Sequence, residues 1–294
     1  MSRRNKIFKC IITASVFTML PFLTFSCSQT KKLAIAEAAA ELSSIDKSAP
    51  AIVQADDLKD LPAPVKRYLT KSGVVGKPHT KMFRTRFTGR MKLGGEEDKW
   101  REVSGFQYSF IESTLTRIFY IETRMYGVPV VGRDRYFQGH GNMLIKLMDK
   151  FAVVNATGES MDKSALITFL NDMMFFPSAM LTPFVKWAPV NDSTALATIT
   201  DKGKTVSGLF YFNKEDEIVN FVTDDRTYDN GRGDVRKARW WTPVIKHADV
   251  NNVHIPVAGS AEWDFGDRRF LYADFKFSDI DYNSFELYKE HIDK

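Results

Sequence analysis

Alternation of apolar and polar residues with period two covers most of the chain after about residue 80. In "FRTRFTGRMKL", Phe83 and Phe87 fall on one face and Arg84 and Arg86 on the other, a pattern typical of a half-buried antiparallel strand. The basic face either meets lipid head groups or pairs with acids on a neighbouring strand, and pairing is the commoner arrangement. Similar alternation in "LTRIFYIETRMY", "TALATITDKGKTVSGLFYF" and later segments predicts roughly ten strands.

Two segments follow the helical period instead. "LPAPVKRYL" has a proline suited to a first helical turn and one apolar face, which predicts a short helix that opens the folded domain. In the methionine-rich stretch around residues 160–177, apolar residues recur at i, i+3, i+4, i+7 and i+8. Asp162 or Ser160 is expected to cap this second helix, and Pro177 is expected to end it.

The second helix determines the expected fold. Ile167 and Phe175 widen its apolar arc beyond one face, so the helix must be nearly enclosed. Because strands precede and follow it, the sequence predicts a mainly β (α+β) fold: a curved antiparallel sheet, or unclosed barrel, that cradles a central helix. We expect a single domain of this kind over residues 58–294.

The N-terminal segment carries most of the excess positive charge of the chain. The chain has 41 basic and 36 acidic residues, a net charge of +5, but four of the basic residues lie among the first nine. Without them, 37 basic residues face 36 acidic ones, so the remainder is nearly neutral and a nucleic-acid partner is not expected. The basic start and the apolar run over residues 11–25 have the length of a signal peptide, which we place at residues 1–26.

Both cysteines of the chain, Cys10 and Cys27, lie within or at the end of this segment. The mature domain therefore has no disulfide, no cysteine nucleophile and no thiolate metal site. Ser26 before Cys27 resembles a bacterial lipobox, in which the cysteine is acylated, although Thr24 stands where leucine is usual. Lipid attachment at Cys27 is the prediction, with plain secretion or an uncleaved anchor as alternatives. Since no aspartate follows Cys27, we expect an outer-membrane lipoprotein that faces the periplasm.

Residues 27–57 are rich in Ala, Ser and Lys and are expected to form the acylated cysteine and a flexible tether, or a short frayed helix. Sequence signatures of a serine hydrolase, a P-loop, a dinucleotide fold and a zinc protease are not found. The five histidines lack metal-ligand spacing, so we predict no metal, no cofactor and no enzymatic activity.

The order of these elements resembles that of the outer-membrane lipoprotein carrier and sorting proteins, LolA and LolB. That resemblance implies an unclosed barrel with a greasy cavity for acyl chains beside its helices. A closer resemblance is to an uncharacterised bacterial family, a domain of unknown function, through "LPAPVKRYL", "GRDRYFQGHGNM", "FPSA" and "FVTDDRTY". That family implies no known activity.

These features predict a monomeric, non-enzymatic envelope lipoprotein that binds a lipid, lipopeptide or other apolar ligand beside the central helix. Asp172, an acid on an enclosed helix, needs a partner, and Arg226 or Arg135 is expected to supply it. The same pair is either structural or grips a polar head group. The remaining expected ligand contacts are apolar: Phe169, Met173, Phe175 and Phe176. The alternatives are a structural or sensory periplasmic protein with a fully packed core and, less favoured, a hydrolase.

Overall fold

Fourteen strands form one antiparallel sheet in the computed structural model, which describes residues 28–230 and 233–292. The strand order is β6-β5-β4-β3-β2-β1-β16-β15-β13-β10-β9-β8-β7, and β14 pairs with β15 outside this path. Strands β11 and β12 form a separate hairpin. The strands are β1 Met82–Met91, β2 Arg101–Ile111, β3 Leu115–Met125, β4 Val128–Phe137, β5 His140–Leu147, β6 Phe151–Ala156, β7 Val185–Asn191, β8 Thr194–Asp201, β9 Lys204–Phe212, β10 Ile218–Thr223, β11 Thr227–Asp229, β12 Val235–Lys237, β13 Arg239–Trp241, β14 Val244–Val250, β15 Val253–Asp264 and β16 Arg269–Tyr282.

The sheet is built from two meanders. Strands β1 to β6 follow one another through hairpins, and the later strands run to β16, which pairs with β1 at the centre. The sheet is curved and unclosed, with β6 and β7 as its two edges. The predicted fold class, a curved antiparallel sheet around a helix, is confirmed. The predicted count of about ten strands is too low, because strands as short as β11 to β13 have too few residues to show a period of two.

The chain crosses from one sheet edge to the other through the central helix α3, Glu159–Asp172, which contacts β4, β5, β8 and β9. Two short 3₁₀ segments, Met173–Phe175 and Pro177–Leu181, continue it toward β7. Every residue from 164 to 180 is buried, so the enclosure expected from the wide apolar arc is confirmed. The regular helix ends five residues before Pro177.

The start of α3 differs from the expected cap. Its N-cap residue is Gly158, and no side chain caps it. The Asp162 carboxylate instead accepts a hydrogen bond from the Gly141 backbone N–H at 2.7 Å, which ties the helix to β5. A side chain on Gly141 would place its Cβ 2.4 Å from the Met161 carbonyl oxygen, so glycine permits this close approach.

Helix α1, Gln29–Ser44, occupies most of the segment expected to be a flexible tether, and that expectation is wrong for these residues. Its buried face, Ala34, Ala38 and Leu42, packs on the sheet face opposite α3. The contact includes Phe106, Tyr120 and other outward-facing residues of β2 to β4. A short C-terminal helix, α4 (Lys289–Ile292), and the buried Tyr288 join the same cluster.

Helix α2, Ala63–Ser72, confirms the short helix predicted from "LPAPVKRYL". It ends at Gly73, whose φ of 72° is the left-handed conformation favoured at a helix C-terminus. A 3₁₀ turn, Ala55–Leu58, precedes it. Val65, Tyr68 and other residues of α2 join the core on the α3 side of the sheet.

The basic face of β1 pairs with acids on the neighbouring strand β16, which was the favoured of the two expected arrangements. Arg84 contacts Asp281 at 2.8 Å, and Arg90 contacts Asp274 at 3.3 Å. Arg86 lies beside Asp279 at 3.3 Å. Within the described residues, no helix is long and apolar enough to cross a bilayer.

Candidate functional site

A mostly apolar cavity of about 210 Å³ lies between α3 and the sheet. Its walls come from the inward faces of β1 to β5, from β15 and β16, and from the last turn of α3. The apolar residues that line it include Met91, Phe119, Ile121, Val130, Met143, Ile145, Met174, Phe175, Phe275 and Phe277. Alternation places these side chains inward, because every second residue of a strand faces the same side.

A buried ionic cluster lines one part of this cavity. Arg117 on β3 donates to the Asp172 carboxylate at the end of α3 at 2.7 Å and to Asp134 on β4 at 2.9 Å. Gln107 on β2 also donates to Asp172, at 2.9 Å. Thr242 extends the network by donating to Asn171 at 2.6 Å. The end of the helix is thereby bonded directly to β2 and β3, and to β4 through Arg117.

The numbers of acidic and basic groups in the cluster differ, because the two carboxylates of Asp172 and Asp134 share the one guanidinium of Arg117. Burial disfavours the charged form of Arg117, but Asp172 and Asp134 outweigh burial and raise the pKa of Arg117. One oxygen of Asp134, Oδ1, is buried and accepts no hydrogen bond from any described residue. A buried acceptor without a donor is costly, so this oxygen is where a hydrogen-bond donor on a ligand would be stabilised.

A second cation, Arg226, lines the cavity on the loop that follows β10. Its guanidinium lies 4.1 Å from the ring centroid of Trp240 and 5.6 Å from that of Trp263. These cation–π contacts hold the arginine against an aromatic surface. The cavity therefore combines apolar walls with polar groups on separate elements, the arrangement typical of small-molecule sites.

The structure brings together only part of the predicted site. Asp172, Phe175 and Arg226 line the cavity, whereas Phe169, Met173 and Phe176 are fully buried in the core beside it. Arg135 lies on the opposite face of the sheet and contacts Glu37 of α1 at 3.1 Å.

The expected partners of Asp172 are therefore wrong. Arg135 points away from α3, because Asp134 next to it is the β4 residue that faces the cavity. Arg226 stacks on tryptophan rings. The actual partner is Arg117, which lies in "LTRIFYIETRMY" on the same face of the strand as Phe119 and Ile121. An arginine among the apolar residues of one strand face is the sequence feature that could have identified it.

Two other charged or polar residues near these elements, His140 and Asp225, make their contacts elsewhere. His140 is exposed and lies 3.7 Å from Asp162, at the other end of α3 from Asp172. Asp225 accepts a hydrogen bond from the Ser207 N–H at 2.7 Å. Among residues 28–230 and 233–292, no group of three or more His, Cys, Asp or Glu side chains is arranged to hold a metal ion. Cys27 lies outside the described residues.

A family model, described as a family of unknown function (DUF6544), matches residues 51–275. The chain belongs to this family. The match spans α2, the central helix and the ionic cluster, and it confirms the uncharacterised family indicated by the sequence motifs. A search of curated proteins returned no match for this DUF6544 protein.

Several solved structures are similar to this DUF6544 protein at low identity. A DUF1329 family protein from Desulfovibrio piger is 12% identical over 76% of this chain and 94% of that chain, with a TM-score of 0.42. A domain from Vibrio parahaemolyticus, described as an outer membrane lipoprotein-sorting protein, is 8% identical over 77% and 93%, with a TM-score of 0.35. A LolA superfamily protein from Nitrosomonas europaea is 10% identical over 77% and 96%, with a TM-score of 0.39.

Proposed function

We propose that this DUF6544 protein is a non-enzymatic envelope lipoprotein that binds a lipid, lipopeptide or other apolar ligand beside α3. In this proposal residues 1–26 are removed, Cys27 is acylated, and the monomeric domain faces the periplasm from the outer membrane. The observation that carries the proposal is the apolar cavity of about 210 Å³ between α3 and the sheet. A packed structural or sensory protein, the alternative function, needs no such cavity between its central helix and the sheet.

The polar part of the cavity favours an amphipathic ligand over a pure hydrocarbon. Apolar walls would take a chain, and Asp134 Oδ1 would accept a hydrogen bond from a hydroxyl, amide or ammonium group on the ligand. Because Arg117 is already bonded to both carboxylates, the surplus charge of the cluster is negative. A ligand group that donates a hydrogen bond or carries positive charge suits Asp134 Oδ1 better than a free carboxylate does, while Arg226 adds one positive charge to the cavity wall on a separate element.

Two neighbouring residues of β5 offer a matched test. Ile145 lines the cavity, whereas Leu144 is paired with Arg133 and faces the other side of the strand. We expect Ile145→Trp to fill the cavity and abolish uptake of a long-chain amine or lysophospholipid. Leu144→Trp adds the same side chain outside the cavity and should leave uptake unchanged.

Uptake is measured by native mass spectrometry of the chain from Ser28, purified without detergent and then mixed with each amphiphile. Solvent extraction of the protein as purified would also identify any ligand that it retains. Binding to the parent and to Leu144→Trp, together with loss in Ile145→Trp, supports the proposal. An apo mass for the parent with every amphiphile, or equal uptake by Ile145→Trp, contradicts it and favours the packed structural protein.

A further inference from the structure

We infer that the end of the sheet where α1 begins rests on the surface of a lipid bilayer. The contact consists of the β3–β4 turn at Tyr126, the β5–β6 turn over residues 148–150, and Phe151 at the start of β6. We call this set the tip surface. The inference goes beyond the proposed ligand and depends on the proposed function only where it invokes the lipid at Cys27.

The two turns lie side by side at one end of the sheet. Val130 on β4 pairs with Leu147 on β5, and the Met148 N–H donates to the Pro129 carbonyl at 2.7 Å. Residues 126–127 follow directly from the pairing of Met125 with Val128. Both turns therefore project beyond the last paired residues of β3 to β5 in the same direction.

The start of α1 is fixed at this same end. The Asp149 carboxylate accepts hydrogen bonds from the Thr30 backbone N–H, at 3.1 Å, and from the Gln29 N–H and the Thr30 hydroxyl. Ser28 caps the helix by accepting from the Lys31 N–H at 3.3 Å. Ser28, the residue that follows Cys27 in the sequence, is therefore held at this end of the sheet. A lipid on Cys27 would thus enter the bilayer beside Asp149.

The tip surface has the composition of a membrane interface. The exposed fractions of Tyr126, Met148 and Phe151 are 81%, 58% and 55%, values that leave three large side chains in water at one end of the molecule. Cations accompany the rings: the Arg101 guanidinium lies 5.0 Å from the Tyr126 centroid, and Lys150 Nζ lies 5.6 Å from that of Phe151. Aromatic rings flanked by Lys and Arg are favoured at head-group depth.

The chain that precedes α1 indicates that the partner of the tip surface is a bilayer. The proposed lipid at Cys27 brings the membrane to the first turn of α1, and in the alternative of an uncleaved anchor the apolar run at residues 11–25 would do the same. Because α1 is packed on the sheet, few residues remain as a flexible spacer, so the domain would be held in one orientation. In that orientation Tyr126, Met148 and Phe151 contact the head groups.

The chain from Ser28 tests the surface without the lipid anchor, since the contacts described above and both hydrophobic clusters lie within residues 28–292. Co-flotation is measured with vesicles of phosphatidylethanolamine and phosphatidylglycerol in equal parts. We expect Tyr126→Ser/Met148→Ser/Phe151→Ser to lower the bound fraction by about tenfold, because apolar area buried in the interface drives such binding. Ile245→Ser on β14 removes an equally exposed apolar side chain, 60% exposed, and should have no effect.

Unfolding midpoints of the variants are compared to exclude loss of the fold. Failure of the parent chain to float, or equal flotation of the triple variant and the parent, would overturn the inference. Flotation is independent of the cavity. If the parent floats but binds no amphiphile, the proposed ligand fails while the membrane contact stands.

A second measurement uses the acylated mature chain, which begins at Cys27 and therefore lacks Cys10, in the same vesicles. Nitroxide labels are placed on single cysteines at Tyr126→Cys, Phe151→Cys or Ile245→Cys, which are the only free thiols once Cys27 carries its lipid. We expect the labels at positions 126 and 151 to be more accessible to oxygen than to a water-soluble nickel chelate, and the label at 245 to show the reverse. The same ratio at all three positions would refute the inference.

Discussion

Arg117 is the residue on which the ionic cluster depends. It is buried, and it bonds to Asp172 and Asp134 from the strand between Gln107 and Asp134. Removing it would leave two carboxylates in a largely apolar space, and an uncompensated buried charge is much more costly than the loss of an exposed ion pair.

We predict that Arg117→Met lowers the free energy of unfolding by about 3–5 kcal/mol, the range for breaking a buried ion pair on one side. The matched control is Arg90→Met on β1, whose pair with Asp274 is half-exposed. The control should cost no more than about 1 kcal/mol. Both values come from urea unfolding followed by circular dichroism. Similar losses in the two variants would show that Arg117 is not the centre of a buried cluster.

His254 gives the molecule a titratable contact outside the cavity. Its ring lies 2.7 Å from Asp249 and 2.8 Å from Glu217. Burial lowers the pKa of His254, but the bonds to these two carboxylates outweigh burial and raise the pKa above 6.5. A histidine whose pKa is raised by folding stabilises fully below its unfolded pKa, near 6.5, and loses this contribution as the pH rises through the folded pKa.

We therefore predict that His254→Gln lowers the melting temperature more at about pH 5.5 than at about pH 8.5, since only the protonated ring carries the charge that pairs with Asp249 and Glu217. Melting curves of parent and variant across this range measure the difference. Asp249→Asn removes one of the two acids and should reduce the pH dependence in the His254 parent. A difference between parent and His254→Gln that does not change with pH would contradict the assignment.

At the scale of single residues, sequence reasoning placed Asp172 correctly as an enclosed acid that needs a partner, because burial of a carboxylate follows from the helix pattern alone. It could not choose among arginines, since the choice depends on which strands face the last turn of α3. Phe169 and Met173 lie on the apolar stripe and Phe176 lies just beyond it, and all three are fully buried. The cavity is lined instead by Met174, at the end of the stripe, and by Phe175 next to it.

At the scale of elements, the two long helices show what a hydrophobic pattern reveals. Helix α3 was predictable because large side chains recur at the helical period over its whole length. Helix α1 contacts the sheet chiefly through small residues, Ala34 and Ala38, which resemble linker composition in sequence. Only the structure shows that these alanines are fully buried against aromatic residues of β2 and β3.

The packing of α1 predicts which of its positions tolerate a larger side chain. Ala38 is fully buried against the sheet, so Ala38→Leu should force the helix away and destabilise the protein by about 1–3 kcal/mol. Ala40→Leu places the same side chain on the exposed side of α1 and should change stability by less than about 0.5 kcal/mol. Urea unfolding gives both values. Equal, small changes would indicate that α1 is not docked in solution and that residues 27–57 act as a tether.

At the scale of the whole molecule, the connection between the two sheet edges explains where the cavity lies. The chain leaves β6, crosses the inner face as α3 and returns to the sheet at β7, so α3 lies inside the unclosed barrel, with α2 joining the core on the same side. A single helix covers one stripe of a wide curved surface, and the inner faces of β1 to β5 extend beyond it. The residue patterns predicted the helix and the curvature, whereas the remaining space was implied only by the resemblance to the carrier proteins, because such a space is a difference between two large volumes.

The size of that space sets the last prediction. At about 210 Å³ it is smaller than the roughly 300–1,000 Å³ of typical ligand pockets, so a short chain fits and a long one requires α3 to move from the sheet. We expect octylamine to bind without altering amide hydrogen exchange in α3, and hexadecylamine to bind with faster exchange at residues 159–172 and in β5. Exchange in α1, on the opposite face, serves as the internal control and should stay unchanged. Slower exchange in α3 with both amines would mean that the cavity accommodates a long chain without movement of the helix.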